Sequence, residues 1–173
     1  ASDYHAVLQH ALLDLEHAEK SGDKFHAYVA HSLIGWAQGL LGKPQEAILH
    51  RAKAQVIGQG LGGRLIFADW FDAADIEIAL AAGDPGRALA LAEKLVPELR
   101  KGGYLVGLGR AEQAWGVAIE RSDPARTAEA DAHLVAGLEV MEQSQQVLAA
   151  ARLRLEWARL CQLRGALEQA EKL

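Results

Sequence analysis

The chain has 173 residues, half of them hydrophobic and dominated by Ala and Leu, while aromatics make up only 6%. That length suits one domain with a sizeable core or a short repeat array, and the Ala and Leu content favours packed helices. A net charge of −5 argues against general nucleic-acid binding, which needs a basic surface, and no apolar run is long enough to span a bilayer.

Nine helices are expected, at roughly 4–20, 25–41, 45–57, 64–82, 86–100, 104–121, 126–143, 147–164 and 166 to the end, with no β-strand. Apolar residues inside them recur at spacings of three and four, as at Leu89, Leu91, Ala92, Leu95 and Leu99. The turns carry stop and start signals. Gly42, Gly83 and Gly165 can adopt the left-handed conformation that ends a helix. Asp84 and Asp123 can accept from free backbone N–H groups, and Pro85 and Pro124 fit the first helical position. Pro97 lies within a helical pattern and is expected to kink or end that helix near Val96.

The same turns reveal a period. Gly42, Gly83 and Gly165 are spaced by 41 and then by twice 41, as are Ala47, Ala88 and Ala170, with Ala6 a further 41 residues earlier. Glu129 stands at the missing Ala position. Ser21-Gly22, Gly62-Gly63 and Gly103-Tyr104 keep the interval of 41 at the other junction. Two turn types and one helix position therefore share one repeat length, the signature of a two-helix array. One repeat domain is expected over 1–173, with units at approximately 1–22, 23–63, 64–103, 104–145 and 146–173. Neither end reads as a capping helix with a polar outer face, so an excerpt of a longer array is expected.

The residue pattern resembles the tetratricopeptide (TPR) repeat. Ile34-Gly35 followed by Ala47 matches the Leu-Gly and Ala core of that motif in order and spacing. Residues 83–89 (GDPGRAL) and 164–170 (RGALEQA) look like its inter-helix turn and the start of its second helix. The long unit, with its AEKSGD junction at 18–23, resembles the helical repeat regions of bacterial LuxR-type ATP-dependent regulators, the maltose-regulator group among them, and of related ATPase-linked cyclases. The resemblance implies an all-α fold, a right-handed α-α superhelix of repeats about 41 residues long.

Chemical sites are few. Gly58-x-Gly60-x-x-Gly63 has the spacing of a dinucleotide-binding loop, but it follows Glu46 to Gln55, an Ala-rich amphipathic helix rather than a strand. It therefore reads as a helix-to-helix junction, with Val56 and Ile57 in the last helical turn. His10, Asp14 and His17 share one helix face, more simply a wet surface than a metal site. The other histidines are scattered, with no nucleophile and base pair. Cys161 is the only cysteine and lies in an apolar stretch, which excludes an internal disulfide and points to a buried thiol. No signal-peptide pattern is read, so a cytoplasmic location is expected.

Trp36, Trp70, Trp115 and Trp157 each fall in the first helix of a unit, the helix that lines the concave groove in tetratricopeptide arrays. Transferring the family's groove positions, counted from Gly35 and its equivalents, selects Val29, Ser32, Trp36, Gly39 and Leu40, then Trp70, Ala73, Glu77 and Leu80. The third unit supplies Ala111, Ala114, Ala118 and Arg121, and the last Arg152, Leu155, Arg159 and Gln162. Trp115 and Trp157 fall off this face. The implied groove has an aromatic end, an Ala-lined floor and a basic end, with Arg152 and Arg159 suited to a carboxylate. Against it stand two plainer roles: Trp as helix–helix core, and an Arg stripe as a solvated face. The expected ligand or partner groove is thus Trp36, Trp70, Glu77, Arg121, Arg152 and Arg159.

Function is expected to be binding: a protein- or peptide-interaction scaffold, the sensing or regulatory module of a larger bacterial signalling or transcription regulator. The alternative is a small-molecule effector sensor using the same groove. No enzyme activity, cofactor, structural metal, membrane contact or direct nucleic-acid contact is expected.

Overall fold

A computed structural model describes residues 3–62 and 65–173. All regular structure among them is helical: α1 (Tyr4–Ser21), α2 (Lys24–Leu40), α3 (Pro44–Leu61), α4 (Ala68–Ala81), α5 (Pro85–Gly102), α6 (Leu105–Ser122), α7 (Thr127–Gln143), α8 (Val147–Leu163) and the short α9 (Leu167–Ala170). A 3-10 turn, Pro124–Arg126, leads into α7. Among the described residues no helix is long and apolar enough to cross a membrane.

The helices start and stop where side-chain chemistry permits. Asp3, Asp23 and Asp84 accept from the backbone N–H three residues on, at 2.9–3.0 Å, and Asp123 accepts from Ala125 at 3.0 Å. At the other ends, Gly42 (φ 77) and Gly83 (φ 75) turn left-handed. Lys43 N–H then reaches the Gln38 carbonyl at 2.9 Å, and Asp84 N–H the Ala79 carbonyl at 3.0 Å, satisfying last-turn acceptors. The same reach-back links Ala166 to Cys161, Asp23 to Ala18, Tyr104 to Leu99 and Gln146 to Met141. In that last turn Gln145 holds the left-handed position at φ 58, without glycine.

Several boundaries depart from the sequence expectation. Helix α3 does not end at Ile57 but runs on to Leu61, so Gly58 and Gly60 are helical. Packing is the cause: Ile57 joins a cluster around Tyr28, Ala54 and Phe71, and a Cβ on Gly58 would touch the Tyr28 ring at 3.4 Å. Gly62 leaves the helix at φ 76, while Gly63, and with it the full glycine motif, lies outside the described residues. Because a Cβ at Gly60 would meet nothing within 4 Å, Gly60→Ala is expected to stabilise the protein by about 0.5–1 kcal/mol. A thermal melt should rise by roughly 1–4 °C; a lower melting temperature would argue against the helix there.

Pro97 neither ends nor stops α5, which continues to Gly102. Its ring removes a single bond, to the Glu93 carbonyl, where both residues are exposed, while Val96 and Leu99 stay fully buried on the other side. Helix α4 starts at Ala68, after a turn in which Phe67 has φ 65. Only Leu167–Ala170 is helical beyond 166.

Consecutive helices pack side by side, and α2 also packs on α4, and α4 on α6. Ile76, Leu99, Leu134, Met141 and Leu153 lie wholly inside the main core, which runs from α4 to α8. Burying each such side chain contributes about 1.5–3 kcal/mol. Small residues set the helix separations: a Cβ on Gly39 would lie 2.6 Å from Ile78, and one on Gly116 2.7 Å from the Ala130 carbonyl oxygen.

Buried polar groups staple the pairs together. Arg51 of α3 grips Asp75 of α4 through Nε (2.6 Å) and Nη2 (2.9 Å), and donates to Ser32 of α2 at 3.0 Å. Glu112 of α6 accepts from Arg100 of α5 and faces His133 Nδ1 of α7 at 2.7 Å. Arg164 joins Glu120 (2.7 Å) to Asp131 (2.8 Å), which also takes the Trp157 indole N–H at 2.8 Å.

His31 and His50, scattered in sequence, meet between α2 and α3 with Nδ1 atoms 2.9 Å apart. Such a contact needs one nitrogen without a proton. Burial, with Lys53 nearby, pushes both below the ordinary value of 6.5. The unfolded chain therefore takes up protons first. The stability from this pair is complete above pH 6.5 and is lost as pH falls below it. The melting temperature should drop between about pH 7.5 and 5.5, and drop less in His31→Gln/His50→Gln. Exposed His26, raised by its hydrogen bond to Asp23, titrates the opposite way in both proteins and cancels from the comparison. Equal drops in the two proteins would refute the assignment.

Candidate functional site

One cleft of about 1140 Å³ is formed by α2, α4, α6 and α8, with Tyr4 of α1 and Met141 of α7 at its margins. Direct packing joins α2 to α4 and α4 to α6, whereas α6 and α8 have no extensive backbone contact and the cleft opens between them. Gln113 of α6 crosses the gap to Glu156 of α8 with a 2.5 Å hydrogen bond.

The aromatic end is tightly ordered. Trp36 of α2 meets Trp70 of α4 edge-on with centroids 4.9 Å apart, and Tyr4 meets Trp36 the same way at 5.3 Å. Glu77 of α4 accepts the Trp36 indole N–H at 2.8 Å and holds Arg110 of α6 from both oxygens at 2.5–2.6 Å. The Arg110 guanidinium lies 4.0 Å from the Trp70 ring centre and 5.4 Å from that of Trp36. A cation held over two rings, paired and largely withdrawn from water, is a strong anchor. One of its nitrogens, Nη1, is buried without a hydrogen-bond partner.

The far end is built differently. Arg121 of α6 donates one bond, to the Leu80 carbonyl at 3.2 Å. Arg152 and Arg159 of α8 are exposed, line the cleft and form no ion pair or hydrogen bond among the described residues. Between them Leu155 is 54% exposed, and Leu148 one turn before Arg152 is 66% exposed. The lining carries four Arg against two Glu, in a chain whose net charge is −5.

All six residues of the expected groove, Trp36, Trp70, Glu77, Arg121, Arg152 and Arg159, line this cleft. The Ala floor does not: Ala73, Ala111 and Ala118 are fully buried between helices, and only Ala114 of that set faces the cleft. Ser32 is likewise buried, bonded to Arg51. In α6 the expected Ala114 and Arg121 do line the cleft, but Arg110, Gln113 and Val117 line it too, one position before the expected Ala111, Ala114 and Ala118. Sequence reasoning missed Tyr4, Leu148 and, with the largest consequence for the site, Arg110. Its neighbour Ala111 held the transferred position, and no one-dimensional signal ties residue 110 to Glu77, 33 residues earlier. Trp157 packs in the core, and Trp115 stacks on His133 with centroids 3.9 Å apart; neither lines the cleft.

Cys161 is buried, which pushes its thiol up and keeps it protonated. Among the described residues no three His, Cys, Asp or Glu side chains converge on a cation site, and His10 and His17 are exposed. The described lining of the cleft contains no Ser, Thr, Cys, His or Lys. It offers aromatic faces, guanidinium donors, amides and apolar side chains. No family model matches the chain, and neither a curated protein nor a solved structure matches it.

Proposed function

We propose that this chain is a protein-interaction module that holds a carboxylate-bearing peptide segment in its cleft. The observation that carries the reading is the pair Arg152 and Arg159, unpaired among the described residues on one face of α8, in the cleft of a protein of net charge −5. Guanidinium groups on such a face gain most from a ligand that supplies carboxylates. The Trp36–Trp70–Arg110–Glu77 assembly gives that ligand a rigid apolar wall.

The array is read as a right-handed superhelix of tetratricopeptide-like repeats, the sensing or regulatory part of a larger bacterial regulator of the LuxR and maltose-regulator kind. Support comes from the left-handed turns and reach-back bonds that recur at 41-residue intervals, as at Gly42 and Gly83. Binding is the reading taken because the described lining presents guanidinium, aromatic and apolar groups, with its two glutamates, Glu77 and Glu156, already hydrogen-bonded. A small-molecule effector is the second reading, favoured by the three aromatic rings gathered at one end of the cleft.

Titration with a labelled Glu-rich peptide tests the first reading. Arg152→Ala/Arg159→Ala should weaken binding about tenfold or more while leaving the melting temperature nearly unchanged, since exposed substitutions are worth within about 0.5 kcal/mol each. Unchanged affinity in the double variant would remove the carrying observation. A free sugar or dicarboxylate that quenches Trp36 and Trp70 while peptides bind nowhere would favour the effector reading.

A further inference from the structure

We infer that the occupant of the cleft is a helix: an acidic, amphipathic helical segment of a partner protein, laid along α8. This rests on the peptide-binding reading and goes further by specifying the partner's conformation and side-chain pattern.

Helix α8 has two distinct faces. Ala150, Leu153, Trp157 and Cys161 point into the core and are buried. On the cleft side, Leu148, Arg152, Leu155 and Arg159 form a stripe at i, i+4, i+7 and i+11, apolar and cationic in alternation. Both leucines are more than half exposed there. Both arginines lack partners among the described residues, whereas Glu156 beside them is held by Gln113. The stripe is thus an apolar surface whose charges ask for anions.

Its repeat length selects the partner's secondary structure. Leu148 to Leu155 and Arg152 to Arg159 each span seven residues, or about 10.5 Å along the axis at 1.5 Å per residue. A helix packed nearly parallel to α8 returns the same side-chain face after the same two turns. An extended strand advances roughly 3.3 Å per residue, so 10.5 Å falls at about three residues, on the opposite face. Of the two, the helix offers carboxylates and apolar groups in step with both pairs. A helix about 10–12 Å across, rising 1.5 Å per residue, fills 1140 Å³ with roughly seven to ten residues, so the cleft holds two to three turns and the stripe of about 16.5 Å runs on past it.

The probe is a lactam-stapled helical peptide of about 16 residues carrying Leu and Glu in that seven-residue pattern. It is compared by fluorescence anisotropy with a proline-interrupted peptide of equal charge and with a Glu→Lys copy. The stapled acidic helix should bind this chain, the interrupted peptide about tenfold or more weakly, and the Lys copy not at all. Arg152→Glu/Arg159→Glu should reverse the preference, losing the acidic helix and gaining the Lys copy, a swap that a misfolded variant would not produce. Raising the salt concentration should weaken the acidic helix.

Equal binding of the stapled and interrupted acidic peptides overturns the helical geometry and leaves the peptide reading standing. Binding of free citrate or glutamate with no peptide bound overturns both. Silence of every probe up to about 100 μM also overturns both.

Discussion

Asp75→Ala is expected to cost the fold about 3 kcal/mol, lowering the melting temperature by roughly 6–12 °C. The reason is the charge it strands. Arg51 is 5% exposed, and its guanidinium is satisfied by two bonds to Asp75, one to Ser32 and a longer contact to Asp72 at 3.6 Å. Burial opposes that charge, yet the Asp75 carboxylate more than offsets it, so the group stays more firmly protonated than a free arginine. Without Asp75, Nε loses its acceptor and Nη2 keeps only the 3.6 Å contact to Asp72, on a side chain that is 6% exposed. Breaking one side of a buried pair costs about 3–5 kcal/mol; Asp72 and the partial exposure of Asp75 put this case near the low end. Removing both charges should behave differently. Arg51→Met/Asp75→Leu leaves no stranded ion, and its melting temperature should lie above that of Asp75→Ala. A denaturation series on wild type, Asp75→Ala and the double variant checks the claim. A single variant as stable as wild type, or a double variant less stable than Asp75→Ala, would contradict it.

Arg51 also shows which parts of the fold could be read in one dimension. The helix ends could, because their chemistry is local: Asp84 and Pro85 start α5, and Gly83 stops α4, with no help from distant residues. Gln145 could not, since its left-handed φ of 58 is imposed by the turn between α7 and α8 rather than favoured by its side chain. Local signals also lose where burial opposes them, as when Gly58 and Pro97 remain inside helices whose apolar faces are packed. Arg51 to Asp75 and Arg110 to Glu77 join residues 24 and 33 apart, a pairing that only the stacked helices create. In the cleft, Trp36, Trp70 and Glu77 came from a register transferred at the motif-bearing helices α2 and α4. In α6 that register held at Ala114 and Arg121 but slipped by one residue, about 100° around a helix, at its first turn. The slip swapped Arg110 into the cleft and Ala111 into the core.

Gly107→Ala is the second large effect, and its sign is the informative part. In an exposed helix interior, Ala stabilises by about 0.5–1 kcal/mol over Gly. At Gly107 the added Cβ would sit 2.5 Å from the carbonyl oxygen of Asp69 and 2.6 Å from its carbonyl carbon, and backbone cannot swing aside. The first turns of α4 and α6 must separate. The same movement strains the hydrogen bond from Gly107 N–H to the Asp69 carboxylate, 2.9 Å long, which caps α6. Overpacking of this kind costs about 1–3 kcal/mol, and the weakened cap adds about 1. A net loss near 2–3 kcal/mol, or roughly 4–12 °C in melting temperature, is expected. Gly86→Ala is the control: its Cβ would meet only Asp84 Oδ1, at 3.7 Å, so that variant should melt no lower than wild type. The cleft should register the change too. Trp70 follows Asp69 directly, and Arg110 lies one helical turn beyond Gly107, so parting α4 from α6 draws the guanidinium off both Glu77 and the Trp70 ring. Peptide affinity and tryptophan emission should therefore shift together in Gly107→Ala and in neither way in Gly86→Ala. Were Gly107→Ala as stable as wild type, the close approach of α4 and α6 that shapes the aromatic end would be refuted.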